Sequence, residues 1–215
     1  MLKATHITDW IAIIILLDVA LIAFLRHFFP RRFIAFLKIP FNATYFTEFA
    51  HEKEQPFWFE LILEAVMLIS VSLFIYTLIY LGGEKSLNAN DYVIFTKIFL
   101  ASILFVTVQR FFHSVTGQLF NMHKNLSMLM HVKDGYMRWA ALFLIAIVLL
   151  TVFTGIQTNL LLIVGLILLL AVYVIGVARG STLLAGNKTL SSMHIFFYLC
   201  TLEILPVVAL VKMIA

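Results

Sequence analysis

The stretch Phe57–Leu81, FWFELILEAVMLISVSLFIYTLIYL, is an apolar run in which Glu60 and Glu64 are the only acidic or basic residues. An α-helix rises about 1.5 Å per residue, so this run is long enough to cross the roughly 30 Å of hydrocarbon in a bilayer. The run therefore predicts a transmembrane helix. Similar runs on either side of it decide the fold of the whole chain.

The composition agrees with a membrane protein, because 63% of the 215 residues are hydrophobic and only 12% are charged. We expect an all-α, polytopic transmembrane bundle that forms a single integral membrane domain over residues 1–215, because the polar stretches between the apolar runs are short. The predicted spans are residues 8–25, 57–81, 92–112, 139–153, 160–177 and 193–211.

Lysine and arginine are distributed unevenly between the two sides of these spans. Most of them fall in the first, third and fifth connections, whereas the opposite side has only Lys3, Lys85 and Lys212. Basic residues of short loops stay in the cytoplasm, so both termini are predicted to be periplasmic in a bacterial inner membrane. The net charge of +4 is then a topology signal, and no nucleic-acid partner is expected.

The first connection, residues 26–40 (RHFFPRRFIAFLKIP), is predicted to contain an amphipathic helix on the cytoplasmic side. Pro30 can open this helix, and Phe29, Phe33, Phe36 and Leu37 form an apolar stripe. Beside the stripe are three cationic residues that would contact anionic lipid of the inner leaflet, namely Arg31, Arg32 and Lys38.

The third connection, residues 114–138, has a methionine-rich face at helical spacing. Such a face suits a protein partner, which could be another membrane protein or a second copy of the chain. An alternative is that this connecting helix rests on the membrane or caps the bundle. The predicted face consists of Leu119, Met122, Leu126, Leu129 and Met130.

Ionisable side chains inside the predicted spans are the best candidates for a functional site, because each is costly in hydrocarbon unless it is paired or neutral. They are Asp18, Glu64, Lys97 and Glu203. One lysine cannot neutralise three carboxylates, so at least one acid is expected to be protonated. The group would serve either proton movement or helix assembly.

Pro206 is predicted to bend the last span just beyond Glu203. Because proline has no N–H, the carbonyl group of Leu202 loses its helical partner. Small residues also indicate a packing face near the inner end of the fifth span, where Gly176 and Gly180 have GxxxG spacing.

No cofactor, metal site or catalytic residue is predicted. His123 and His131 form the nearest histidine pair, and they are two helical turns apart, too far to bind one ion unaided. The sequence has no phosphate loop, nucleophile elbow or HExxH motif. A membrane enzyme that uses cytoplasmic histidines on a lipid-linked substrate is therefore the weakest hypothesis.

The segment at residues 200–206, CTLEILP, carries a resemblance to a known family. It is similar to the C-terminal signature of small polytopic inner-membrane proteins of Bacteroidota whose family is described only as a domain of unknown function. The resemblance implies a bacterial inner membrane and draws attention to Glu203 and Pro206 as motif positions. It implies no reaction.

Two functions remain open at this point. The first is a non-enzymatic subunit or accessory of a larger bacterial envelope complex, in which the intramembrane polar groups meet a partner helix. The second is a small proton-coupled transporter or channel whose relay includes Asp18, Glu64, Lys97 and Glu203. The absence of a clear sequence repeat between the two halves favours the first.

Overall fold

The computed structural model describes residues 5–40, 45–46, 57–81, 91–119, 123–154 and 158–185. Within these ranges the chain is helical and contains no strand, which confirms the all-α prediction. The helices are α1 (Thr5–Phe28), α2 (Pro30–Leu37), α3 (Phe57–Leu81), α4 (Asp91–Leu119), α5 (His123–Thr154) and α6 (Thr158–Ala185).

Five of the described helices are long and apolar enough to cross a membrane. Their apolar windows are Trp10–Phe28, Phe57–Ile79, Tyr92–Val115, Ser127–Thr154 and Thr158–Gly180. These windows confirm the first five predicted spans as membrane-crossing helices. The sixth predicted span, residues 193–211, lies outside the described residues, and so do Glu203 and Pro206.

Helix α5 begins much earlier than the sequence predicted. It runs without a break from His123 to Thr154, so the first half of this helix takes the place of a separate connecting helix. The predicted start at Trp139 was wrong because the prediction treated the charged residues Lys133 and Arg138 as the limit of the apolar run. Both side chains are buried between helices, with 3% and 6% of their surface exposed, so they need not end a span.

Helices α3 and α5 form the centre of the bundle. They pack against each other, α1 packs on α3, α4 packs on α3 and α5, and α6 packs along α5. The contact between α5 and α6 is close at two glycines of α6, as GxxxG spacing predicted. A Cβ atom on Gly176 would lie 3.2 Å from Cβ of Tyr136, and one on Gly180 would lie 3.3 Å from Cγ of Leu129.

We call the end of the bundle where α1 ends and α3 begins the basic end. It also holds α2, the end of α4 and the start of α5. Its core is a cluster of buried side chains from several of these helices, including Leu25, Phe36, Phe59, Leu63 and Tyr136.

Helix α2 confirms the predicted amphipathic connecting helix, with Pro30 in its first turn. Its apolar side chains divide between two environments. Phe33 and Phe36 are buried against the bundle, whereas Ile34 and Leu37 are exposed. The indole N–H of Trp139 in α5 donates a hydrogen bond to the carbonyl oxygen of Leu37 at 3.2 Å, which ties the end of α2 to the bundle.

Candidate functional site: a charged cavity and a buried carboxyl

Asp18 lies near the middle of α1 and is fully buried. It shares the inward face of the helix with Ile11, Ile15 and Leu25, which are buried at helical spacing. This register turns the carboxyl group toward α3. There Ser70 donates a hydrogen bond from Oγ to Oδ2 of Asp18, over 2.7 Å.

The second carboxylate oxygen of Asp18 is different. Oδ1 is buried and accepts no hydrogen bond from the part of the chain that the structure describes. No arginine or lysine of the described helices forms an ion pair with this carboxyl group. Asp18 is therefore a buried acid held by a neutral hydroxyl group, with one oxygen atom left for a proton or a further donor.

Glu64 occupies a second site nearer the basic end and joins three helices. Its Oε1 accepts a hydrogen bond from Nη2 of Arg110 in α4 at 2.6 Å. Its Oε2 accepts two from Arg138 in α5, from Nε at 3.0 Å and from Nη2 at 2.8 Å. Nη2 of Arg110 also donates to Oδ2 of Asp134 at 3.3 Å. Glu64 is thus neutralised by arginines of two neighbouring helices.

A cavity of about 290 Å³ adjoins this network at the basic end. It is bordered by the first turns of α3, the last turns of α4 and the first half of α5. The residues that line it are Glu60, Arg110, His113, Ser114, Ser127, Met130, His131, Asp134 and Arg138. We call it the charged cavity.

Two groups in the charged cavity have few partners. His113 is only 2% exposed, and neither of its ring nitrogens has a hydrogen-bond partner among the described residues. Glu60 lies 4.0 Å from Nδ1 of His131 and 4.0 Å from Nη1 of Arg138, and both distances are too long for a hydrogen bond. The cavity therefore offers polar groups that could bind a ligand.

Aromatic side chains form a cluster toward the other end of the bundle. Trp10 of α1 packs against Tyr76 of α3 and Phe95 of α4, with ring centroids 5.2 Å and 5.5 Å apart. Along α3, Ser70 lies about 9 Å beyond Glu64, and Tyr76 lies a further 9 Å or so beyond Ser70. The bundle thus has three levels, which are the charged cavity, the buried carboxyl and the aromatic cluster.

The predicted site residues fall into separate places. Asp18 pairs with Ser70 and Glu64 pairs with two arginines, whereas Lys97 is exposed on α4 and makes no ion pair with a described residue. The described helices therefore do not join these three in one network. Glu203 and the helix bend at Pro206 lie outside the described residues.

Sequence reasoning missed Arg110 and Arg138, which it assigned to connections as signs of topology. A usable signal was present. Glu60 and Glu64 are one helical turn apart, and so are Asp134 and Arg138, which places two charges on one face of each helix.

The predicted partner face is only partly described. The side chains of Leu119, Met122 and Leu126 lie outside what the structure describes. Leu129 is buried against Gly180 of α6, and Met130 is half-buried and lines the charged cavity. Leu129 therefore packs inside the bundle, whereas Met130 is partly exposed, and its role in partner binding stays a prediction.

Among the described residues we find no group of three or more histidine, cysteine, aspartate and glutamate side chains that could hold a metal ion. The charged cavity contains two histidines, and an arginine lies beside each of its two carboxylates, Arg110 beside Asp134 and Arg138 beside Glu60.

A comparison with known families places the chain in one of them. The model of the family described as Domain of unknown function (DUF4271) matches residues 11–214. No curated protein and no solved structure matches the chain. Because the match extends over nearly the whole sequence, the protein belongs to the DUF4271 family.

Proposed function

We propose that the protein is a small proton-coupled transport protein of a bacterial inner membrane. The observation that carries the proposal is the position of Asp18, a fully buried carboxyl group between a polar cavity at one end of the bundle and an aromatic cluster at the other. An ionisable group inside a membrane bundle is a functional candidate by default, because it is costly to keep there.

The surroundings of Asp18 suit proton exchange. Its hydrogen bond comes from the neutral hydroxyl group of Ser70, so the carboxyl group can take up and release a proton without breaking an ion pair. Glu64, by contrast, is held by Arg110 and Arg138 and is suited to keeping α3, α4 and α5 together. In this proposal Asp18 carries the proton and Glu64 holds the helices around it.

The arrangement of the cavity and the aromatic cluster matches one state of an alternating-access cycle. The charged cavity admits water and solute at the basic end, and the rings of Trp10, Tyr76 and Phe95 close the other end. Transport would require these rings to separate while the basic end closes.

Proton uptake into liposomes under an imposed membrane potential tests the proposal. We expect liposomes with the protein to take up protons faster than empty ones, and Asp18→Asn to lower the rate at least about tenfold, because its amide cannot carry a proton. Thr107→Ala, on the exposed face of α4, is the control and should leave the rate unchanged. Equal rates for the Asp18→Asn variant and the unaltered protein would remove Asp18 from the mechanism. Glu203→Gln in the same assay tests the second acid of the predicted relay.

A second function, that of a subunit or accessory of a larger envelope complex, is favoured by α4. This helix is the least buried of the five described spans. Its outward face carries Lys97 and Thr107 together with Leu100 and Leu104, and all four side chains are exposed. A lysine on a lipid-facing surface is costly unless it reaches the interface or meets a carboxylate, so this face suits an acidic partner helix.

A photocrosslinking amino acid at position 100 tests this second function. If the protein is a subunit, Leu100 should crosslink to another membrane protein, and Lys97→Leu should reduce the yield severalfold. A crosslinker at the exposed Leu166 of α6 is the control. A crosslink to residues 193–211 of the same chain would contradict the subunit function, because Glu203 would then be the partner of Lys97.

A further inference from the structure

We propose that the charged cavity binds a small zwitterionic ligand, which carries a carboxylate or a singly charged phosphodiester group and an ammonium group in one molecule. The proposal rests on the proposed transport function, since it names the substrate class, but the binding itself can be measured without transport. Three properties of the cavity support it, namely its free donors, its free acceptors and its balance of charge.

The donors lie on α4. His113 is buried and lines the cavity, and an imidazole ring always carries at least one N–H, yet neither ring nitrogen has a partner among the described residues. An unpaired buried donor is unfavourable, and a ligand oxygen would remove that cost by accepting its hydrogen bond. Arg110, one turn away, directs both of its described hydrogen bonds through Nη2. Its Nε and Nη1 atoms make no hydrogen bond to a described residue, so in this proposal they donate to the anionic group.

The acceptors lie on α3 and α5. The carboxylate of Glu60 is 31% exposed and has its nearest cationic neighbours at 4.0 Å, so it is not consumed by a hydrogen bond to either of them. Asp134 makes one described hydrogen bond, a long one of 3.3 Å through Oδ2. An ammonium group between these carboxylates would find acceptors on both sides.

The charge balance favours a ligand whose own charges cancel. Of the charged residues that line the cavity, Glu60 and Asp134 carry negative charges, and Arg110 and Arg138 carry positive ones. With neutral histidines these lining charges cancel. A simple anion or cation would leave an uncompensated charge in a partly desolvated site, whereas a zwitterion would not.

The volume of about 290 Å³ is at the lower end of the range for small-molecule sites. It suits a ligand of the size of a small amino acid or of a phosphoethanolamine group. Either a free solute or the headgroup of a lipid could supply this chemistry.

Equilibrium binding to the full-length protein in detergent tests the proposal, with four probes at neutral pH. Alanine and glycerophosphoethanolamine are zwitterions with no net charge, acetate is the matching anion and ethylammonium is the matching cation. We expect at least one zwitterion to bind about tenfold or more tightly than acetate and ethylammonium, because it alone satisfies both sides of the cavity. A free amino acid as the source would favour alanine, and a lipid headgroup would favour glycerophosphoethanolamine. Equal affinity for a half-ligand, or no binding of either zwitterion, would overturn the proposal.

Two nearly isosteric variants distinguish the loss of a ligand contact from a general loss of the folded structure. His113→Gln and Glu60→Gln should each weaken binding of the preferred zwitterion about tenfold. Glu60→Gln should also make acetate bind more tightly, since it removes a negative charge, whereas His113→Gln should not. Thr107→Ala is the control and should bind every probe as the unaltered protein does. An equal loss of affinity for all four probes, or no loss of affinity for the preferred zwitterion, would count against the proposal.

The outcomes are distinct from those of the transport experiment. Zwitterion binding without proton uptake, when the preferred zwitterion is also present in the liposome assay, would support this site and overturn proton-coupled transport. Proton uptake without zwitterion binding would support proton-coupled transport and overturn the proposed zwitterion site.

Discussion

At the scale of single residues, Glu64 shows that the role of a charged residue inside a membrane bundle depends on its ion-pair partners. In the sequence it is a carboxyl group in an apolar run and one member of a predicted relay. In the fold it accepts hydrogen bonds from arginines of α4 and α5, so both of its oxygens are used. Glu64 is therefore better suited to stabilising the contacts between helices than to carrying a proton.

Replacing Glu64 should destabilise the bundle. Glu64→Gln removes the negative charge but leaves the buried Arg138 without its close carboxylate partner, and an unpaired buried charge is strongly destabilising. We expect the free energy of unfolding to fall by about 3 kcal/mol. Thermal or denaturant unfolding in a mild detergent would measure it.

Glu60→Gln is the matched control, because the same change is made one helical turn away on the same helix. Glu60 makes no described contact shorter than 4.0 Å to a cationic group, so its loss should cost less than about 1 kcal/mol. Equal destabilisation by the two variants would show that the network around Glu64 does not fasten the helices.

At the scale of helices, α2 could be predicted in outline but not in its contacts. Pro30 and the apolar spacing that follows it predicted a short amphipathic helix, which the structure confirms. Periodicity shows that a helix has an apolar face, but it cannot show whether protein or lipid covers that face. In the fold the bundle covers Phe33 and Phe36 and leaves Leu37 exposed.

Truncating the two sides of α2 should therefore have unequal effects. Phe36→Ala removes a ring that is fully buried in the core of the basic end, and we expect it to lower the free energy of unfolding by about 3 kcal/mol. Leu37→Ala, which truncates the adjacent residue, should change it by less than about 1 kcal/mol, because that side chain is 41% exposed. Unfolding in detergent would compare them. A larger loss for Leu37→Ala would mean that α2 is not held as described.

At the scale of the whole molecule, the charge asymmetry of the connections predicts the orientation of the bundle. Lys38 should face the cytoplasm and Lys85 the periplasm. In a Cys200→Ser background, a cysteine at position 85 should react with a membrane-impermeant maleimide added outside the inner membrane. A cysteine at position 38 should react only after that membrane is opened. The opposite labelling pattern would contradict the predicted topology.

The sequence by itself determined that this is a helical membrane protein, and it located five of the apolar helices. Hydrocarbon imposes that result, because backbone groups in a bilayer must be satisfied within each helix, and a span must reach a fixed length. The predicted start of α5 was wrong for a related reason. A single sequence shows that Lys133 and Arg138 are polar, but it does not show that neighbouring helices bury them.

Only the tertiary structure decided which polar groups meet. Asp18 faces Ser70, Glu64 faces Arg110 and Arg138, and Lys97 faces outward. The partners of Asp18 and Glu64 lie far along the chain, and their pairing depends on how each helix is rotated and which helices are neighbours. The length and period of an apolar run determine neither the rotation of a helix nor its neighbours, because lipid and protein interiors are equally apolar. Polar contacts between helices decide both.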